Sequence, residues 1–571
     1  MDFDKILTHL GDFGRYQKFL YFLVCLPAVF TGIFAVISAI ILATPDHRCK
    51  IPGYENDTYS IQSDRHREVI SNYIPPPAAN SHLYDQCHTY SFNHSSVMFD
   101  TLGRPINGST VKCDEWVYSY SVFKQTFTSK FNLVCSNSYK TSLAKSSYFV
   151  GIFVGAMVFG NLSDAIGRKT VFCISVAIQF VATVTLAWAP NTIVMYIYLY
   201  DPDRALVGRN VYCCIRLELV GPSKRIYTGI VVDYFFAVGL VLLSGVAYLV
   251  RHWKYIDLMC ALPIGLFLFY WWILPESPRW LISKKRYKEA KAILLRAAKY
   301  NNVVVSEYLF SQDIPVQLPQ KDEKYGRLWH LFTTKVLLTR TLVIFFNWGV
   351  VNMVYYGLSL NSGNLEGNYY LNFLLSGLVE FPAYTLTLLL LDRLGRKWLY
   401  IICMILGGVS CISTIFTILY LEERYQPVTI ALAMLGKLGA AGAFGIIYTY
   451  SAELFPTVVR NAGMGASSCI SRIGAIAAPY IADSGNYIGG STGKAFPLAV
   501  FGSLSILAGL LSLHLPETMG QELPETIEDG IQFGTPTYKS KADANTKTYM
   551  NSTYVSTDAC PLETDSQSLS E

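Results

Sequence analysis

Long uncharged runs alternate with short polar stretches rich in basic residues along nearly the whole chain. The run over 19–43 carries no charge and exceeds the roughly 20 residues a helix needs to cross a bilayer. The runs over 171–189 and 495–515 read the same way. The pattern predicts helical spans at about 19–43, 144–162, 171–189, 226–250, 256–274, 341–360, 368–391, 398–421, 428–452, 461–482 and 495–515, with a less regular twelfth candidate over 191–219. The first run starts too far in, and is too long, for a cleaved signal peptide. Basic residues are retained on the cytoplasmic side of a membrane. The segments holding Arg168 and Lys169, Lys224 and Arg225, 279–299 and 393–397 are therefore expected to be cytoplasmic. Twelve spans place both termini in the cytoplasm and the long polar segment after span 1 outside; eleven would put the C-terminus outside.

Composition agrees with a multispanning membrane protein of the all-α class. The 571 residues are 52% hydrophobic and only 15% charged, against about 25% charged in soluble domains. The net charge of +5 gives no pointer to nucleic acid. The expected organisation is a cytoplasmic N-terminus (1–18), span 1 (19–43), an extracellular loop (44–143), spans 2–6 (144–274), a cytoplasmic connection (275–340), spans 7–12 (341–515) and a tail (516–571). In the connection, Ser277 followed by Pro278 and by apolar residues at helical spacing predicts short helices on the inner face. The tail is polar, Ser/Thr-rich and aperiodic, and is expected to be disordered.

The loop after span 1 holds Cys49, Cys87, Cys113 and Cys135 and three sequons, at Asn56, Asn93 and Asn107. An even cysteine count beside glycosylation sequons points to an oxidising, extracellular compartment. Four cysteines allow three pairings, and their spacing does not choose among them.

Three polar markers occur twice, in the same order. DAIGRK at 164–169 returns as DRLGRK at 392–397, 228 positions later. Glu218 and Arg225, seven apart, return as Glu453 and Arg460, offset by 235. The triplet Pro275, Glu276, Ser277 returns as Pro516, Glu517, Thr518, offset by 241. One match means little, because basic residues are common at cytoplasmic ends; three in order make two halves of one design, six spans each. Gly167 and Gly395 permit a tight turn between helices. Asp164 then sits at a helix end, facing basic residues and the N-terminus of a neighbouring helix; Arg168, Asp392 and Arg396 belong to the same two clusters. Such clusters, with Glu218, Arg225, Glu453 and Arg460, can latch the halves in one state and release them in another, as alternating access around a midplane site requires. The plainer reading is that these turns only fix topology.

Ionisable residues inside spans cost about 2.5–3.5 kcal/mol each at mid-helix, and are functional candidates for that reason. Four stand out: Asp233, Glu380, Lys437 and Arg472. Two acids and two bases suit a zwitterion, or a cation whose counter-charge is shared. Alternatively they are pairs that hold helices together, Glu380 with Arg472 or Asp233 with Lys437.

The motifs GNLSDAIGRK, LDRLGRK and PESPRW resemble the major facilitator superfamily. The long cysteine-bearing loop and the stretches LGDFGRYQ, NLVC, ELVGP, AELFPTVVRN and LPETIEDG resemble the organic cation/carnitine/organic anion transporter family within it, in an insect-like version. Sugar porters share the hexapeptides and PESPRW but lack the long loop and NLVC. The resemblance implies a twelve-span major facilitator fold, two six-helix halves, and a plasma-membrane carrier. It further implies that Glu380 matches the acid kept by cation and carnitine carriers, and that Arg472 matches the arginine of carnitine and anion carriers. Together they imply the carnitine-type combination, carboxylate on Arg472 and quaternary ammonium near Glu380. Trp348 and Tyr355, seven apart on one helix face, match aromatic cavity positions, and aromatic faces attract quaternary ammonium. Packing or interfacial anchoring is their bland alternative. Asp233 stands where the family often has a neutral polar residue.

The resemblance breaks over 191–219. Asp201, Asp203, Arg204, Arg209 and Arg216, with Pro202 among them, stand where the family has an apolar, Gly-rich helix. A reading-frame slip later restored, or a wrong exon choice, accounts for such a break, and re-sequencing the transcript tests it. No catalytic constellation, metal-spaced cluster or phosphate-binding loop is present, so neither an enzyme nor a cofactor nor a metal site is expected. The reading is a carrier of small organic cations or zwitterions, carnitine-like ones favoured, with Na+ or H+ as the coupling ion if there is one. An organic anion carrier is the alternative within that class. A receptor, scaffold or inactive relative is the alternative outside it.

Overall fold

A computed structural model describes residues 13–54, 56–76, 84–90, 110–189, 224–303, 328–365, 367–420, 425–488 and 490–535, with the isolated positions 7, 98–99, 105–106, 191, 220 and 538. Eleven long helices dominate it. They are α1 (Arg15–Ile41), α2 (Tyr139–Ile166), α3 (Arg168–Leu186), α4 (Arg225–Val250), α5 (Trp253–Ile273), α6 (Lys335–Asn361), α7 (Tyr369–Leu394), α8 (Arg396–Tyr420), α9 (Gln426–Leu454), α10 (Thr457–Asp483) and α11 (Gly490–Leu511). Ten of the described helices are long and apolar enough to cross a membrane. The eleventh, α10, is more polar, since it carries Arg460, Arg472 and Asp483. All eleven regular spans predicted from the sequence coincide with these helices; the twelfth candidate, 191–219, lies almost wholly outside the described residues.

The two halves repeat the same packing. In the first, α1 crosses α4 so closely that a Cβ on Gly32 would lie 2.3 Å from the Phe236 carbonyl oxygen, and one on Gly239 would lie 2.1 Å from that of Val29. In the second, α6 crosses α10, and a Cβ on Gly474 would lie 2.0 Å from the Gly349 carbonyl oxygen. Without side chains at these crossings the backbones touch, the small-residue contact that holds helices together where lipid supplies no hydrophobic drive. The halves meet where α2 packs on α10 and α4 on α7.

One end of the bundle carries the loop between α1 and α2, and the other carries the two hexapeptides. The described loop holds three antiparallel strand pairs, His47–Cys49 with Trp116–Tyr118, His88–Tyr90 with Thr110–Lys112 and Met98–Phe99 with Pro105–Ile106, and a helix over Asp64–Tyr73 capped by Ser63. Disulfides join Cys49 to Cys113 and Cys87 to Cys135. This is one of the three pairings the sequence left open. Asn56 is exposed, as a glycan acceptor must be; Asn93 and Asn107 lie outside the described residues.

At the hexapeptide end the connection forms the expected short helices. Pro278–Ser283 is capped by the Ser277 hydroxyl, which accepts from the Trp280 amide at 3.3 Å. Tyr287–Asn301 follows, and its Asn301 accepts from the Tyr16 amide at the start of α1. The tail corrects the sequence reading. Residues 516–535 are ordered, not disordered, with a short helix over Ile527–Gln532 behind a Thr526 capping box. The half-buried Arg340 guanidinium of α6 explains the order, donating to the carbonyls of Gly530 at 2.7 Å and Phe533 at 2.9 Å. Residues 539–571 lie outside the described residues.

Candidate functional site

The site is built where α7 breaks. Pro382 has no amide hydrogen, so the Leu378 carbonyl loses its helical partner, and the helix is interrupted at Val379. Glu380 opens the second segment. Its side chain is fully buried. The Tyr355 hydroxyl, from α6, donates to Glu380 Oε1 at 2.6 Å, and the Tyr384 hydroxyl donates to Oε2 at 3.3 Å. Lys437, from α9, is buried beside them with Nζ 3.0 Å from Glu380 Oε1. Its ammonium also donates to the Ser359 hydroxyl and lies 3.6 Å from the centre of the Tyr355 ring. Phe444 stacks on that ring at 4.9 Å. A cavity of about 10 Å³ adjoins Lys437, lined among others by Leu358, Asn361, Ser376 and Met434, which is room for about one water.

Of the six substrate-site candidates, the structure thus joins three: Glu380, Lys437 and Tyr355. The pairing differs from both helix-holding alternatives read from the sequence, because α7 and α9 pack together and bring their charges to one point. Trp348 is fully buried two turns before Tyr355, with its indole N–H on Ser451 Oγ at 2.8 Å and its ring 4.4 Å from that of Tyr448. Arg472 is buried on α10, which runs along α6. Asp233 is half-buried on α4; its neighbour Tyr234 reaches across to the second half, hydroxyl to hydroxyl with Thr385 at 2.7 Å. Sequence reasoning missed Tyr384 and Ser359, which have no charge to mark them.

The hexapeptide clusters are near copies. Gly167 and Gly395 both take positive φ, +111° and +85°. Arg168 pairs with Asp164, and Arg396 with Asp392 at 3.3 Å. The groups that face the following helix N-termini are Glu276 and Glu517, noticed in the sequence only as repeat markers. Glu276 accepts from the amides of Arg168 at 2.9 Å and Lys169 at 3.1 Å; Glu517 accepts from Arg396 at 2.9 Å and Lys397 at 3.1 Å. Glu453 joins the second cluster, 3.2 Å from Arg396, and Arg460 donates to the Phe455 carbonyl at 3.2 Å. Glu218 and the side chain of Arg225 lie outside the described residues. These bonds run within each half. At the loop end, by contrast, Lys145 of α2 meets Asp483 of α10 across the halves at 2.7 Å, with the Ser142 hydroxyl on the same carboxylate at 2.8 Å. Sequence reasoning overlooked this pair, because each charge sits at the edge of an apolar run.

Two helical halves with matched charge clusters at one end and a buried ion pair at mid-depth define a membrane carrier. The pattern of the family described as sugar (and other) transporter matches residues 105–529. The chain is 38% identical to the organic cation transporter protein of Drosophila melanogaster, over 94% of this chain and 95% of that one. It is 32% identical to the human organic cation/carnitine transporter 2, over 93% and 94%. The solved structure of the xylose transporter XylE from E. coli, partially occluded and inward open, superposes with a TM-score of 0.59, at 15% identity, over 89% of this chain and 100% of that one; this likeness bears on the fold alone. The chain belongs to the organic cation/carnitine transporter family of the major facilitator superfamily.

Proposed function

We propose that the chain carries small organic cations or zwitterions across the plasma membrane by alternating access, with carnitine-like compounds preferred. The observation that carries this reading is the slot formed by Glu380 and the Tyr355 face, which holds an ammonium group, that of Lys437. A buried carboxylate against an aromatic face is the chemistry that recognises an alkylammonium. Arg472 supplies a fixed positive charge for a substrate carboxylate. The names of the relatives support the same substrate class. In this reading the loop end is extracellular, the hexapeptide end and both termini are cytoplasmic, and the clusters around Asp164 and Asp392 act as latches. A monovalent cation gains about 2.3 kcal/mol per 100 mV of membrane potential. A net-neutral zwitterion gains nothing from it, so its uphill uptake requires a coupled ion, Na+ or H+.

An organic anion carrier would use Lys437 and Arg472 together. The structure's ion pair speaks against it, since Glu380 already neutralises Lys437. A scaffold has little use for a buried pair, whose desolvation can cost more than its attraction returns. The test is uptake of radiolabelled carnitine and tetraethylammonium in cells with verified surface expression, with sodium present or replaced. Uptake of either, lost in Glu380→Gln, is the expected result; no uptake of either by the intact chain sinks the reading.

A further inference from the structure

Lys437 occupies the place a substrate cation would take. Its ammonium makes both contacts such a cation needs, an ion pair with Glu380 at 3.0 Å and a position 3.6 Å from the Tyr355 ring centre. Both side chains are almost fully buried. Glu380 is fully buried with Lys437 on its carboxylate, and the cavity beside Lys437, about 10 Å³, is too small for any organic cation, so a substrate cation that pairs with Glu380 takes the place of Lys437. Ser359, already hydrogen-bonded to the ammonium, lies one turn beyond Tyr355 on α6 and marks where the displaced group remains held.

We propose that Lys437 is a built-in stand-in for the substrate cation, and that it allows the empty carrier to return. This rests on the substrate reading above. A carrier completes a net transport cycle only if it reorients empty, and reorientation closes protein around the midplane site. Closing around a bare Glu380 carboxylate is strongly unfavourable. With substrate bound, the substrate's cation neutralises Glu380; with none, Lys437 does. Both forms then close over a neutralised carboxylate. Without the lysine ammonium only the loaded form does, and the protein becomes an exchanger, trading one substrate for another with little net flux. For a zwitterion, the displaced Lys437 also becomes a second positive partner for the substrate carboxylate.

The experiment uses the purified full-length chain in lipid vesicles and whichever of tetraethylammonium and carnitine the uptake assay finds carried. Uptake of label is measured into empty vesicles, which reports net flux, and into vesicles preloaded with unlabelled compound, which reports exchange. In Lys437→Met the ratio of exchange to net flux is expected to rise at least tenfold, and Lys437→Arg is expected to restore it. A fall in both modes by the same factor overturns the proposal, because a lysine that only supports packing or binding affects both alike. If Lys437→Met is not recovered folded, Lys437→Gln is read in the same way. The unmutated chain is a test by itself: exchange without net uptake overturns the stand-in role, whereas transport in neither mode overturns the substrate reading instead.

Discussion

Glu380 gathers two tyrosine hydroxyls and one ammonium, so its replacement removes the group on which the site is organised. Glu380→Gln keeps the shape and is expected to lower cation uptake more than tenfold at unchanged surface abundance, measured by initial rates. Arg472→Asp is expected to move preference from carnitine toward tetraethylammonium, and unchanged selectivity would remove Arg472 from the substrate path. At this scale the sequence was informative about charge and silent about partnership. Asp233, Glu380, Lys437 and Arg472 were legible because each is costly inside an apolar run. Which acid meets which base was not, because Glu380 and Lys437 are brought together by the packing of α7 on α9, and no periodicity encodes that contact. Tyr384 and Ser359 were invisible for a related reason: a hydroxyl in a span is cheap enough to need no function.

The turns and the loop behave as self-contained elements. Glu517 caps the start of α8 through two amides, and a Cβ on Gly395 would lie 2.5 Å from one of its oxygens. Glu517→Ala is expected to cost about 1–2 kcal/mol of stability, read as a lowered melting temperature of the purified protein. Gly395→Ala is expected to destabilise through both the positive φ and this contact. The doubled hexapeptide and the doubled Pro-Glu pair were legible as repeats, but that the glutamate of one closes over the turn of the other was not, since over a hundred residues separate them in each half. Order in 516–535 was likewise illegible, because it comes from partners distant in sequence, Arg340 of α6 and the α8 amides that Glu517 caps among them. In the loop, the buried Asp57 receives Arg48 at 2.9 Å and His66 at 3.0 Å. Burial alone would raise its carboxyl; hydrogen bonds from Arg48, the Ile51 amide and His66 outweigh this and hold it below its ordinary value of 3.8. A depressed folded value means the contribution is present above about pH 4 and is lost as pH falls further, through the depressed value. In Asp57→Asn the loop is expected to be less stable near pH 7 and to lose less stability on acidification than the unmutated chain, followed by aromatic fluorescence.

The bundle as a whole is held across its halves by bonds at the loop end and at mid-depth. Lys145 meets Asp483, Tyr369 donates to the Ala39 carbonyl at 2.9 Å, and Tyr234 meets Thr385. Breaking the buried ion pair is expected to open the loop end. Asp483→Asn should increase labelling, by a membrane-impermeant thiol reagent, of a cysteine introduced at Ser146, while the reversed pair Lys145→Asp/Asp483→Lys should bring it back toward the unmutated rate. Equal labelling in all three would remove this pair from control of the opening. The eleven-helix pattern and the two-half design were legible because apolar length and repeated markers are one-dimensional signals. Which faces of the halves touch is a matter of three-dimensional packing, and only the structure supplies it.

The loop is tied to both halves. Its Lys124 amide donates to the Arg251 carbonyl and its Thr128 hydroxyl to that of Leu42, both in the first half, while its Val122 carbonyl accepts from Tyr370 of α7, in the second. Phe123 wedges beside this last contact, 5.1 Å from the Tyr369 ring and 5.7 Å from that of Tyr370. Parting the halves at that end breaks the loop's contacts with one of them, and closing remakes those contacts. An antibody fragment that pinned Phe123 against α7 would act as a brake applied at the loop end, slowing turnover without competing with the transported molecule for its site.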